Sequence, residues 1–140
     1  MNIALFKKDY ALGMKAEDEL LKVFCDKFGE VERTTKKSTP YDYLGSNVYI
    51  ELKTRRNTKN QYPTTMVGKN KLDWASGVVK TNPETKIYFC FNFTDGVYYW
   101  EYTTDNLIDI TFREGGRWDR GKPEIKEYAY IPVNKLISIV

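Results

Sequence analysis

The chain of 140 residues contains no histidine and only two cysteines, Cys25 and Cys90. Without histidine there is no Ser/His or Cys/His nucleophile pair and no His-based metal nuclease, and two cysteines cannot complete a usual zinc site alone. Any catalysis must come from carboxylates, lysines, tyrosines or a hard metal ion. The two cysteines lie far apart inside apolar runs, which reads as buried free thiols in a reducing compartment rather than a disulfide. No window approaches the ~20 apolar residues of a membrane span, and the opening residues lack a secretory leader's pattern. A soluble, intracellular protein is expected. No repeat, low-complexity tract or Pro/Gly/Ser linker interrupts the sequence, so residues 1–140 read as one domain.

Hydrophobic residues make up 41% and aromatics 15%, enough for a real core. The net charge of +3 is modest, but the basic residues are bunched. Lys53, Arg55, Arg56 and Lys59 form one group, Lys69 and Lys71 a second, and Arg33, Lys36 and Lys37 lie upstream. Such a distribution suits a phosphate backbone, and equally a solvated face of a lysine-rich protein.

Leu20, Leu21, Phe24 and Phe28 recur at helical spacing before Gly29, which predicts a first helix from about Leu12 to Phe28. Glu17 sits on the edge of that apolar stripe, either as a functional carboxylate or as an early acid favoured by the helix dipole. A strand from Tyr41 to Leu44, a Gly45-Ser46-Asn47 turn and a strand from Val48 to Arg55 follow. Alternation along the second strand puts Val48, Ile50 and Leu52 on one face and Tyr49, Glu51 and Lys53 on the other. Residues 57–69 read as a long loop. A second helix is expected from Asn70, as its cap, to about Lys80, with Leu72, Ala75 and Val79 facing the core. Lys86 to Phe93 and Val97 to Tyr102 form a hairpin around Thr94-Asp95-Gly96. The stretch from Leu107 to Gly121 reads as irregular, and a last strand runs from Ile125 to Ile131.

Glu51 and Lys53 share a strand face, and Asp42 precedes Glu51 by nine residues across the turn. Two strand-borne carboxylates and a lysine suit hydrolysis of a phosphodiester, which needs oxygen ligands for a hard cation and a group acting on water. Asp42 can stand directly opposite Glu51 only if the hairpin closes symmetrically about the Ser46-Asn47 bond, through a two- or four-residue loop, or if a bulge repairs the register.

Pro40-Tyr41-Asp42, then Tyr49-Ile50-Glu51-Leu52-Lys53-Thr54-Arg55, preceded by a helix bearing Glu17, resembles the PD-(D/E)XK nuclease superfamily. The resemblance covers roughly the first 80 residues and departs from the pattern in the extra Tyr41 between proline and aspartate. It implies an α/β fold with a mixed central β-sheet and flanking helices, a restriction-endonuclease-like core. It implies Asp42, Glu51 and Glu17 as ligands of Mg²⁺, with Mn²⁺ able to substitute, and Lys53 acting on the attacking water. The implied activity is metal-dependent endonucleolytic cleavage of DNA. A non-cleaving DNA-binding module of the same fold, an exonuclease or a junction-specific nuclease are the alternatives. Arg55, Arg56, Lys59, Gln61, Tyr62, Lys69 and Lys71 are then candidates for DNA contact, Lys69 and Lys71 because exposed N–H groups at a helix start favour phosphate. A symmetric homodimer is expected by analogy with other small nucleases. Tyr98, Tyr99, Trp100, Tyr102, Trp118 and Tyr128 can stack on unpaired bases or, as hairpin aromatics commonly do, fill the core.

Overall fold

A computed structural model describes residues 3–35, 38–117 and 124–139, and side chains within 16–35, 38–115 and 126–139. Lys36, Lys37 and Trp118 lie outside the described residues.

Helix α1 spans Ile3–Phe28, starting well before the expected Leu12. It ends at Gly29, whose φ of 94° lies in the left-handed region and whose N–H bonds the Cys25 carbonyl at 3.1 Å. Three antiparallel strands follow: β1 (Val31–Arg33), β2 (Tyr43–Gly45) and β3 (Val48–Thr54). Strand β1 was not visible as a strand in the sequence, because three residues are too few for an alternation to show. Strand β4 (Thr64–Gly68) leads into α2 (Lys69–Thr81), and the chain crosses over to β5 (Lys86–Phe93), parallel to β3. Next come β6 (Gly96–Glu101), β7 (Thr111–Arg117), β8 (Glu124–Pro132) and β9 (Ile137–Ser138).

These strands make a six-stranded mixed sheet ordered β1-β2-β3-β5-β6-β9 and a three-stranded sheet ordered β4-β8-β7. The architecture is mixed α/β and restriction-endonuclease-like. One face of the large sheet buries Val48, Ile50, Leu52 and Cys90 under Phe24 and Ala16 of α1. The other buries Ile87, Phe89, Phe91 and Trp100 against Leu72 and Ala75 of α2 and against Val67, Ala129 and Ile131 of the small sheet. Alternation along β3 and β5 thus places α1 on one side and α2 on the other, as a period of two requires.

Three readings are corrected. Part of the stretch read as a loop, Thr64–Gly68, is strand β4, because it pairs with β8 along its whole length. Thr111–Arg117, read as irregular, is strand β7 on the other edge of β8. Residues 118–121 of that stretch lie outside the described residues. Helix α2 is capped by Gly68 rather than Asn70, with no side-chain cap hydrogen bond. No helix among the described residues is long and apolar enough to cross a membrane.

Candidate active site

The site forms where β2 leaves β3. A two-residue turn, Ser46-Asn47, joins the strands, Asn47 taking a φ of 60°, and the register runs Gly45 to Val48, Leu44 to Tyr49 and Tyr43 to Ile50. Continued one step, it would set Asp42 opposite Glu51, but the chain bends there. The Asp42 N–H donates to the Ile50 carbonyl at 2.8 Å, on the β3 side, while its own carbonyl accepts from Thr34 N–H at 2.8 Å on the β1 side. A regular strand residue points both groups the same way, so Asp42 and Tyr43 both stand against Ile50, as in a β-bulge, a device that re-aims side chains.

The bulge frees the next inward donor of β3, the Leu52 N–H, and the Asp42 carboxylate takes it at 2.7 Å. The carboxylate therefore lies in the fork between the strands rather than above either face. Glu17 of α1 acts on its charge from one side and Lys53 from the other. Tyr43 holds this meeting in place: its ring packs edge-on against Phe24 at 5.0 Å, and its hydroxyl donates to the Glu17 carbonyl.

Glu51 points to the α2 face and is 4% exposed. Its Oε1 lies 3.0 Å from the Lys53 ammonium and 3.7 Å from that of Lys71. With 36% of the Lys53 side chain exposed against 5% for Glu51, the ammonium is reachable from solvent and the carboxylate is nearly sealed. Burial pushes the Asp42 carboxyl up to about 6; the Leu52 N–H opposes this, the Glu17 carboxylate adds to it and Lys53 opposes it. Burial also raises Glu51, against the opposing pull of Lys53, with Asp42 adding to the rise. Glu17 is paired with Arg33, whose Nε and Nη2 lie 3.0 and 2.9 Å from Glu17 Oε2; Arg33 also bonds Asp18.

The structure thus gathers Asp42, Glu51, Lys53 and Glu17 around one fork. It adds Lys71, which the sequence reading assigned to DNA, as a second cation on Glu51. The donors are hard carboxylate oxygens, of which burial pushes Asp42 and Glu51 toward protonation, a set that fits a cation such as Mg²⁺. No three of the described His, Cys, Asp and Glu side chains converge as a complete metal cage. Mg²⁺ commonly takes only one or two carboxylates, with water and substrate phosphate filling the rest, so Asp42 and Glu51 meet its needs.

The other sequence candidates divide. Arg55 donates through Nη2 to the Met66 carbonyl at 2.6 Å, tying β3 to β4. Lys59 is drawn to the β5–β6 turn, where its N–H bonds Asp95 Oδ1 at 2.9 Å and its ammonium lies 5.0 Å from the Tyr98 ring centre. Lys69 pairs with Asp73 at 3.1 Å in the first turn of α2. Arg56, Gln61 and Tyr62 are exposed, Gln61 donating to the Tyr62 hydroxyl at 3.3 Å. Among the aromatics, Trp100 and Tyr102 are buried and belong to the core. The rings that do flank the site, Tyr41, Tyr49 and Trp74, were missed. Tyr49 alternates with Glu51, and Trp74 follows Lys71 by three helical positions, but only the docking of α2 on β3 brings those two patterns together.

A family model described as "Phage putative PDDEXK endonuclease" matches residues 41–139. The chain belongs to that family. The match takes in Asp42, Glu51, Lys53 and Lys71 and begins after Glu17. No curated protein matches the chain. Membership in a PD-(D/E)XK nuclease family agrees with the superfamily resemblance of the two motifs, and the extra Tyr41 is where the match begins.

Proposed function

We propose that this chain is a divalent-metal-dependent DNA endonuclease, with Mg²⁺, or Mn²⁺ in its place, held by Asp42 and Glu51. The observation that carries the reading is the fork itself: a bulge aims the Asp42 carboxylate at the strand that presents Glu51 and Lys53. When bound, the cation would neutralise charge building on the phosphate and favour ionisation of water. Everything else falls to the chain. Asp42 and Glu51 supply anionic oxygen at fixed spacing, and Lys53, partly open to solvent, orients the attacking water and offsets developing charge. Lys71 is a second cation on Glu51 Oε1, the oxygen that Lys53 already pairs, and helps to hold this nearly sealed carboxylate in its charged form. Glu17, outside the family match and already paired with Arg33, acts on Asp42 through its charge and is the weaker candidate ligand.

The uncapped start of α2 points at the same place, because Lys71 lies in its first turn. Free helix N–H groups there, with Lys69 and Arg56, form a short phosphate-binding strip. Arg55 also ties β3 to β4 through the Met66 carbonyl. One such site per chain cuts one strand, so double-strand cleavage would take two copies in a symmetric pair.

Plasmid, linear, branched and single-stranded DNA incubated with and without Mg²⁺ test the reading. Nicking or linearisation of closed circular plasmid, dependent on Mg²⁺ and lost in Glu51→Gln, is the expected result. Degradation only from ends would make it an exonuclease. Binding without cleavage under any metal would make it a DNA-binding module.

A further inference from the structure

Beside the carboxylates lies a cleft of about 530 Å³ between α2 and the first half of β3, with Tyr49 and Trp74 on its walls and Asp73, Asn82 and Thr85 among its polar groups. We propose that this cleft receives one unpaired nucleobase of the substrate, stacked on Trp74 and bordered by Tyr49, whose ring stands at 79° to that of Trp74, next to the phosphate that is cut. This rests on the nuclease reading and names the substrate class: DNA with single-stranded character at the cleavage position.

Position comes first. Tyr49 and Glu51 are two residues apart on one strand face, about 7 Å at the rise of a strand. Trp74 lies three helical positions after Lys71, on the same side of α2, and the Lys71 ammonium is 3.7 Å from Glu51. The near end of the cleft, Tyr49 and Trp74, therefore lies two residues from Glu51 and three from Lys71, and a phosphate at Glu51 leaves its own or the adjoining base within reach of it.

Chemistry is the second ground. Tyr41, Tyr49 and Trp74 form one aromatic cluster, with ring centres 4.7 Å apart for Tyr41 and Tyr49, 5.4 Å for Tyr49 and Trp74 and 5.8 Å for Tyr41 and Trp74. All three are only half-buried, and the tyrosine that interrupts the expected Pro-Asp pair is the one that links the fork to this cluster. Asp73 can accept from an exocyclic amine, and the Asn82 amide, which reaches Asn47 Oδ1 at 3.4 Å, can donate and accept at a base edge. A base paired in a duplex hides that edge and cannot turn its face to a protein ring.

Room is the third. Gly77 sits mid-helix on the cleft lining, where glycine weakens a helix relative to alanine, and a side-chain carbon built there meets nothing within 4 Å. The first carbon of a larger side chain there displaces nothing, and the rest of it would extend into the open space of the cleft.

The test pairs protein and substrate changes. Flap and single-stranded oligonucleotides, intact or with an abasic analogue scanned through the positions flanking the cut, are compared for the native protein, Gly77→Leu and Trp74→Ala. Cleavage is followed with Mg²⁺ and equilibrium binding with Ca²⁺. Removing the base at one position should reduce kcat/KM and affinity on the order of 10-fold for the native protein. Each variant should lose about as much on intact DNA and nothing further on the abasic DNA. An abasic effect that persists in full in Gly77→Leu, or no abasic effect at any position, overturns the proposal. Because Gly77→Leu should fold at least as well as the native chain, checked by thermal melting, loss of the protein does not obscure the result. If the native protein cuts nothing but the binding cycle is non-additive, the base site stands and the nuclease reading falls.

Discussion

Replacing Asp42 by asparagine keeps the shape of the side chain and removes its charge, so it isolates what the fork imposes on that carboxylate. The Asn oxygen can still accept the Leu52 N–H that Asp42 takes at 2.7 Å. Burial and Glu17 raise the Asp42 carboxyl from its ordinary 3.8 to about 6, which at about 1.4 kcal/mol per pH unit corresponds to about 3 kcal/mol. The sign follows from which state holds the proton. Between pH 3.8 and about 6 the folded chain binds more protons at Asp42 than the unfolded chain, so this contribution to stability is complete below 3.8 and is lost as the pH rises through 6. Asparagine does not titrate. The stability of Asp42→Asn relative to the native protein should therefore increase by about 3 kcal/mol from pH 3.5 to pH 7.5, widening the difference in Tm on the order of 10 °C. Carboxylates away from the fork titrate alike in both proteins and cancel, while Glu51, raised in part by Asp42, moves the difference in the same direction. Melting curves in EDTA across that range measure it, and repeating them with Mg²⁺ at pH 7.5 should raise the native Tm and leave the variant nearly unmoved. A stability difference that is flat with pH would refute the buried, crowded carboxylate on which the metal assignment depends.

Glu51→Gln and Lys53→Met should fail differently: the first should lose Mg²⁺ affinity and cleavage together, while the second keeps Mg²⁺ binding by calorimetry and loses on the order of 10² or more in single-turnover rate. A Lys53→Met enzyme cutting at near the native rate would remove that lysine from the mechanism. DNA affinity in Ca²⁺ should fall steeply with salt, and neutralising Arg56 and Lys69 together should reduce the slope by about two. Arg55→Ala should instead act on the fold, lowering stability by about 1 to 2 kcal/mol in urea denaturation through the lost bond to Met66. Gly45→Ala should destabilise by about 1 to 3 kcal/mol, because a methyl group there collides with the Glu30 carbonyl oxygen where β1 meets β2.

Features of this protein that depend on local period were legible in the residues alone. Alternation along β3 put Glu51 and Lys53 on one face and Ile50 and Leu52 on the other, the helical stripe of Leu20, Phe24 and Phe28 fixed the buried side of α1, and the absence of histidine narrowed the chemistry to carboxylates and lysine. Helix α2 and the β5–β6 hairpin were legible for the same reason. Strands β4 and β7 were not, since Thr64-Thr65 and Gly115-Gly116 carry no strong strand pattern and become strands only because β8 supplies hydrogen-bond partners on both its edges. The candidate site divides likewise. Its residue types were visible, but the bulge that drops the Asp42 carboxylate into the fork depends on Thr34 and Ile50 taking its carbonyl and N–H on opposite sides. Lys71 could be read from its helix only as a basic residue at a start, and Trp74 as one more aromatic. Their place beside Glu51 and Tyr49 was decided by how α2 packs across β3, a choice made by distant apolar surfaces that no local pattern records.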